Sequence, residues 1–346
     1  MTIQFHEAKE IEKAMQWLNE YWDKPTHPEY HSVTTLDDAI SLLDQYGEAA
    51  RIFAGGIDLM GLMKGKIQSP GVLVNIKPIR KMKHIAVNPA GIAIGALTLI
   101  CDLVNSPLIK RQYPLLFEAA SSIASPHIRN MSTIGGNLCQ ETRCWYFRRP
   151  PDTGISFDCR RKNEHGTCYA LNGENQYHAI MGDRTCVSVC PSDMATVLLA
   201  MDAGVKTADK NGGRFIPIDE LYTTFGTTLK AGEIITTVEI PESGSDVKQR
   251  FIKFRIRKTI DFAIASVAAN IKLDGDIVKD ARIALGGVSQ KPLRAVKAEK
   301  LLIGERITES LAAEAAKASV IEAKPLSKNG YKVPIVETLV KRAIFE

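Results

Sequence analysis

The sequence predicts an α+β fold: two small α/β subdomains, then a C-terminal domain in which a small sheet is flanked by helices. Three observations predict it. Helix, strand, glycine loop, helix and strand patterns follow one another between Leu36 and Ile76. A second glycine loop, Ser132-Thr133-Ile134-Gly135-Gly136-Asn137, follows another strand-and-helix stretch. From Glu233 onward the pattern changes to strands and then to helices. The 346 residues leave room for two or three domains.

Taken in order, residues 1–30 read as a helical extension, with Ile11, Met15 and Leu18 at helical spacing before Pro25 and Pro28 break it. Thr35 is placed to N-cap a helix beginning at Leu36. Arg51 to Ala54 reads as a strand ending in Gly55-Gly56, Asp58 to Lys64 as a helix, and Gly71 to Ile76 as the next strand. Ile92 to Ala96 is a further strand, Cys101 to Ile109 a helix, and Leu115 to Ala124 another. Pro191-Ser192-Asp193 opens an apolar helix running to Met201. Ile234–Ile240, Phe251–Arg257 and Ala281–Val288 read as strands, with a small apolar stretch from Asp261 to Ile271. Thr308 caps an alanine-rich helix, and Lys332 to Phe345 closes the chain. The domains expected are 31–235 (subdomains 31–90 and 91–235, with a cysteine-rich insert at 139–190) and 236–346.

Composition narrows the function classes. The longest apolar run, around Met194–Met201, is too short to span a bilayer. The first twenty residues lack the apolar core of a secretory signal, so a cytoplasmic protein with reduced thiols is expected. The net charge of +5 is that of a slightly basic surface. Arg143, Arg148, Arg149, Arg160, Arg161 and Lys162 cluster among the cysteines, but the spacing of a nucleic-acid-binding zinc finger is absent, so no nucleic-acid partner is expected.

The two glycine loops carry the first chemical signal. Gly55 and Gly56 can take positive φ, which turns successive backbone N–H groups toward one point, a geometry that binds pyrophosphate. A single such loop is equally a tight strand-to-helix turn; two can grip both phosphates of a dinucleotide. Neither matches the Rossmann fingerprint or a Walker loop.

The second signal is that six of seven cysteines lie between Cys139 and Cys190. The residues between them are charged and turn-rich, including Pro150 to Gly154 and Asn163 to Gly166. Such a segment buries little apolar surface, and a metal centre would tie it down because ligation free energy becomes folding free energy. Structural zinc, a 4Fe–4S cluster and free buried thiols are the three options. His165 and His178 lie near the cysteines and read as solvent-facing polar residues or, less simply, as ligands.

Ala54-Gly55-Gly56-Ile57-Asp58-Leu59, followed by Ser132-Thr133-Ile134-Gly135-Gly136-Asn137-Leu138, resembles the FAD-binding subunit of the xanthine dehydrogenase (molybdenum hydroxylase) family. Ile94-Gly95-Ala96-Leu97-Thr98, Pro191-Ser192-Asp193, Lys253 with Arg257 and Asp261, and Asn329-Gly330-Tyr331-Lys332 extend the resemblance from Tyr30 to the C-terminus. It implies a two-subdomain FAD-binding domain of the vanillyl-alcohol-oxidase (PCMH) type and a C-terminal α/β domain of the CO dehydrogenase flavoprotein type. The cofactor contacts it implies are Ala54, Gly55, Gly56, Ile57, Asp58, Leu59, Ala96, Thr98, Ser132, Thr133, Gly135, Gly136, Asn137, Asp193 and Lys253. Ile57 stands where the family usually has Thr, which removes a hydroxyl near a phosphate and weakens binding by about 1 kcal/mol.

The cysteine segment is similar to that of the subset, such as the 4-hydroxybenzoyl-CoA reductase flavin subunit, with a loop holding one 4Fe–4S cluster. That likeness implies Cys144, Cys159, Cys168 and Cys186 as ligands, with Cys139 and Cys190 as a spare pair, either of which could replace one of the four. The implied function is electron transfer: FAD and the cluster relay electrons between 2Fe–2S clusters of a small partner subunit and an external carrier, NAD or ferredoxin. Substrate chemistry falls to a large molybdenum-cofactor subunit, in a hetero-oligomer. A self-contained flavin oxidase and a zinc-stabilised assembly module are the rivals; absorbance of the purified protein separates all three.

Overall fold

The computed structural model describes residues 28–151, 157–242, 244 and 246–346. The helical pattern at Ile11, Met15 and Leu18, and Asp152, Thr153 and Gly154 of the turn-rich stretch, lie outside the described residues.

The first unit is a three-stranded parallel sheet, β1 (Glu29–Ser32), β2 (Ala50–Phe53) and β3 (Val72–Asn75), ordered β1-β3-β2. All four residues of the central β3 are buried, as expected for a parallel strand with neighbours on both sides. Helix α1 (Leu36–Tyr46) leads into β2. Its cap Thr35 accepts a hydrogen bond from Asp38 N, and Gly47 ends it at φ 50°, a left-handed conformation that glycine adopts without Cβ strain. Helix α2 (Leu59–Lys64) links β2 to β3.

The second unit is an antiparallel sheet of β4 (Ile85–Asn88), β5 (Gly91–Gly95), β6 (Gly204–Ala208) and β7 (Phe215–Pro217). A short hairpin, β8 (Tyr222–Thr223) and β9 (Gly226–Thr227), precedes β10 (Ile234–Pro241), which inserts between β5 and β6. This corrects two expected boundaries. The line at 90 falls inside the β4–β5 hairpin, where Asn88 pairs with Gly91. The line at 235 cuts β10 from its partners, although Val238 pairs with both Ile94 and Val205. Strand pattern is visible in sequence; the pairing partner of a strand is not. The expected helix from Cys101 to Ile109 is two helices, Ile100–Asn105 and Pro107–Gln112, because Ser106 before proline is pushed to extended backbone. Helix α3 (Pro114–Ser122) follows, and α4 (Ile134–Leu138) forms the second glycine loop, capped by the Thr133 hydroxyl on Gly136 N at 3.0 Å.

Helix α5 (Asp193–Ala200), capped by Ser192, buries all eight of its residues. It packs against the C-terminal sheet of β11 (Val247–Phe254), β12 (Ala265–Asp274), β13 (Ile277–Gly286) and β14 (Leu293–Arg294). The opposed pair Ala268 and Ala284 joins the main core with α5, while the neighbouring pair Val267 and Leu285 belongs to a second core. That core is completed by helices α6 (Val296–Leu302), α7 (Glu309–Ser319) and α8 (Lys332–Phe345). Covered on both faces, β12 reads as a continuous small apolar run rather than an alternating one.

Candidate functional site

Where the units meet there is a cleft of about 750 Å³. Both glycine loops line it, with Ala96, Asp193 and Lys253 alongside. Leu43, Ile52, Leu229 and Glu233 form part of its wall, and so do Ile260 and Phe262. Ala124 (φ 43°) and Ile260 (φ 68°) also line it in the left-handed region, joined by an Ile260 N to Ala124 O hydrogen bond of 3.3 Å. A β-branched residue there stores strain, a common property of binding sites.

The first loop fits a phosphate cradle. A Cβ on Gly55 would stand 2.1 Å from Met131 O, so only glycine lets the two loops approach this closely. Gly56 has φ 72°. Among the described residues, the N–H groups of Gly55, Gly56, Ile57 and Asp58 donate to no protein acceptor. The second loop differs from the expected twin. Ile134 N donates to Thr98 O, Gly135 N to Ala96 O, Gly136 N to the Thr133 hydroxyl and Asn137 N to Thr133 O. It supplies shape and close approach, and the open amides belong to the first loop. Gly135 earns its place by packing: a Cβ would meet Ala96 at 3.0 Å.

The remaining predicted contacts divide. Ile57 is 42% exposed on the rim and Leu59 lines the wall. The Ser132 hydroxyl donates to Ile128 O, and Asn137 Oδ1 accepts from the Ser192 hydroxyl at 2.8 Å. Thr98 lies behind the cleft wall, its hydroxyl donating to His84 O at 3.0 Å. Lys253 Nζ lies 2.6 Å from Asp193 Oδ2, with side-chain exposures of 4% and 7%. Arg257 is exposed and bound to Asp261 instead, so only Lys253 of the two brings its side chain to the cleft.

Asp58 turns its carboxylate toward the cysteine segment. Its carboxylate accepts from Glu141 N at 2.7 Å, from Arg148 at 2.7 Å and from Arg143. Arg143 also lies over the Phe262 ring, 4.8 Å from its centroid, and lines the cleft. Sequence reasoning placed Arg143 among the insert's positive charges and beside Cys144, with no role at the cleft; its partner is 85 positions away, and no local pattern reveals that. The same ion pairs fix the cysteine segment to the first glycine loop. Glu233 is a second missed residue. Arg214, at 2.7 Å, holds its carboxyl down to about 2, aided by Lys230 N and Thr207.

All seven cysteines are free thiols. Burial pushes Cys144 up to about 12, with Cys186 and Cys159 close enough to add to the rise. Cys159 is buried beside Leu62 and Phe147, with Cys144 packed on them, and Cys168 packs with Tyr146 against Ala170, Ala179 and Val187. Cys139 and Cys190 instead share a small cavity beside Tyr222. Among the described residues no three His, Cys, Asp or Glu side chains are close enough to share one metal ion. His165 is exposed as expected, with 87% of its side chain accessible. His178 is not. It is buried, with Nε2 3.3 Å from Cys144 Sγ, and burial plus the Lys332 charge pull it down to about 4. An isolated histidine in a polar stretch gives no sequence sign of being covered by a distant segment.

A mixed α/β cleft with a free-amide glycine loop, closed by a separate sheet-and-helix domain, is the architecture of a protein that binds a phosphate-bearing cofactor. Residues 24–243 match the family described as the FAD binding domain in molybdopterin dehydrogenase, and residues 250–346 match the CO dehydrogenase flavoprotein C-terminal domain. The chain belongs to this family of oxidoreductase flavoprotein subunits. It is 35% identical over 281 residues to the aldehyde oxidoreductase FAD-binding subunit PaoB of Escherichia coli, covering 79% of this chain and 85% of that one. It is 27% identical to the carbon monoxide dehydrogenase medium chain of Hydrogenophaga pseudoflava over 92% of this chain and 96% of that one. A solved structure of that organism's enzyme superposes with a TM-score of 0.73, covering 91% of this chain and 95% of the other. Among the described residues no helix is long and apolar enough to cross a membrane.

Proposed function

We propose that this chain is the FAD- and 4Fe–4S-bearing electron-transfer subunit of a molybdenum hydroxylase-type complex. It would relay electrons between the 2Fe–2S clusters of a small partner subunit and an external carrier, NAD or ferredoxin, while a large molybdenum-cofactor subunit holds the substrate. The observation that carries the reading is the physical joint between the cleft and the cysteine segment: Asp58 of the cradle loop is bound to Glu141 N, Arg143 and Arg148 of the segment.

Bound FAD supplies two-electron exchange with organic carriers and one-electron exchange with iron–sulfur centres. The chain's own residues do the rest. The free amides of Gly55 to Asp58 would hold the pyrophosphate, with Gly135, Gly136 and Asn137 closing the other side. The two arginines neutralise Asp58, so its carboxylate does not repel the phosphates. The buried Lys253–Asp193 pair forms a fixed dipole in the wall. Ile57 offers no hydroxyl, which leaves this grip to backbone groups.

Cys144, Cys159, Cys168 and Cys186 would hold the cluster. Their fit rests on donor chemistry: four free thiols, two buried and two half-buried, with Cys144 within electrostatic reach of both Cys159 and Cys186. A 4Fe–4S cluster would take four thiolates, and these four cysteines would supply them. Relatives named for carbon monoxide, aldehydes and nicotinate share this subunit, which supports a substrate site outside the chain. Anaerobic purification with quantification of flavin, iron and sulfide tests the reading. Flavin with iron and sulfide in cluster ratio is expected; flavin with zinc, or no flavin, refutes it.

A further inference from the structure

His178 is enclosed at the seam between the cysteine segment and the C-terminal domain. Its ring lies against Trp145 and Tyr146, with centroids at 5.8 and 6.1 Å. Nε2 is 3.3 Å from Cys144 Sγ, while Nδ1 is buried without a partner. A neutral imidazole has one N–H. Placed on Nδ1 it would be an orphaned buried donor; placed on Nε2 it meets sulfur and leaves only an acceptor unpaired, the cheaper choice.

The histidine is gripped from behind. Its carbonyl accepts from Asn329 Nδ2 and from Lys332 Nζ, both at 3.1 Å, and Asn329 Nδ2 also reaches Ala179 O at 3.1 Å. Lys332 is fully buried and donates to Gly287 O at 2.6 Å. Among the described residues it has no carboxylate partner. Burial pulls it down to about 7, so its charged form is favoured only where negative charge is near; a thiolate-bound cluster beside His178 would provide that charge.

We propose that His178 is a positioning residue for the iron–sulfur group, donating its Nε2–H to the Cys144 sulfur, and that Asn329 and Lys332 hold it in that orientation from the C-terminal domain. This rests on the assignment of the cysteine segment above. Losing an outer-shell hydrogen bond to a metal ligand typically costs 10–100-fold in metal affinity.

The test uses the full chain with its partner subunits, prepared anaerobically. H178L removes the donor; H178Q returns an N–H near the Nε2 position. Iron release to a chelator is expected to be about 10-fold faster in H178L, with a lowered cluster midpoint potential by EPR-monitored titration. H178Q restores both, and flavin content stays unchanged. N329D, isosteric but lacking the donor, is expected to fall between wild type and H178L, and it decides the matter should H178L fail to fold. Unaltered release and potential in H178L or N329D overturn the inference while leaving the cluster in place. A wild-type chain that holds no iron and sulfide overturns the underlying assignment instead.

Discussion

Replacing Lys253 by methionine separates a buried charge pair from its partner with little change in volume. Lys253 and Asp193 are 2.6 Å apart and nearly inaccessible, and Lys253 also reaches Ser122 O at 3.4 Å. K253M leaves the Asp193 carboxylate alone in the cleft wall. Breaking a buried pair by removing one partner costs about 3–5 kcal/mol. Asp193 opens helix α5, whose N-terminus favours negative charge by up to about 1 kcal/mol, and the cleft side admits water, so about 3 kcal/mol is expected. Urea unfolding of the FAD-free chain measures it. The same orphaned carboxylate disfavours negative charge on a reduced flavin, so the flavin potential of K253M is expected to fall. The double variant K253M/D193N removes both charges and is expected to regain all but about 1 kcal/mol, since losing a whole pair is often near neutral. Equal stability of the single and double variants would refute the reasoning, because it would mean the two side chains do not interact.

G55A is expected to abolish flavin absorbance, since its Cβ cannot stand 2.1 Å from Met131 O, whereas G136A, meeting only the Thr133 hydroxyl at 3.0 Å, is expected to weaken it; flavin-to-protein absorbance ratios rank the two. Glu233 titrates near 2 when folded and near the ordinary glutamate value of roughly 4.3 when unfolded. Its contribution, about 2–3 kcal/mol, is therefore full above the unfolded value and disappears as pH falls toward 2. E233Q is expected to flatten acid unfolding curves in that window. C144S is expected to lose iron and to hold flavin more weakly, and C101S, outside the cysteine segment, to lose neither, by metal analysis and flavin absorbance of anaerobic protein.

Much of the fold is legible because local rules agree with it. Thr35, Thr133, Ser192 and Thr308 all cap helices as their positions suggest, each accepting from a backbone N–H three residues on. Gly55 is legible because no other residue fits its approach to Met131. What is illegible is long-range. Strand β10 looks like a strand anywhere; its place between β5 and β6 depends on edges that exist only after folding. Arg143 and Asp58 meet across 85 positions, and His178 is buried by Asn329 and Lys332 some 150 positions later. The near-equivalence of the two glycine loops in sequence also misleads, because hydrogen bonding to Thr98 and Ala96 uses the second loop's amides and leaves the first loop's open.

Asp58 shows why the cradle and the cysteine segment fold as one device. A carboxylate next to a phosphate site opposes binding unless cations screen it, and both of its cations, Arg143 and Arg148, come from the cysteine segment. Displacing that segment would free a negative charge beside the open amides of Gly55 to Asp58. Loss of the segment's order should therefore weaken flavin binding even though none of its cysteines takes part in the cradle. D58N uncouples the two, since a neutral side chain at this position needs no arginine. Flavin affinity of C144S is expected to fall relative to wild type, and that of C144S/D58N to fall less. If D58N fails to moderate the loss, the arginines act on the flavin directly and not through Asp58.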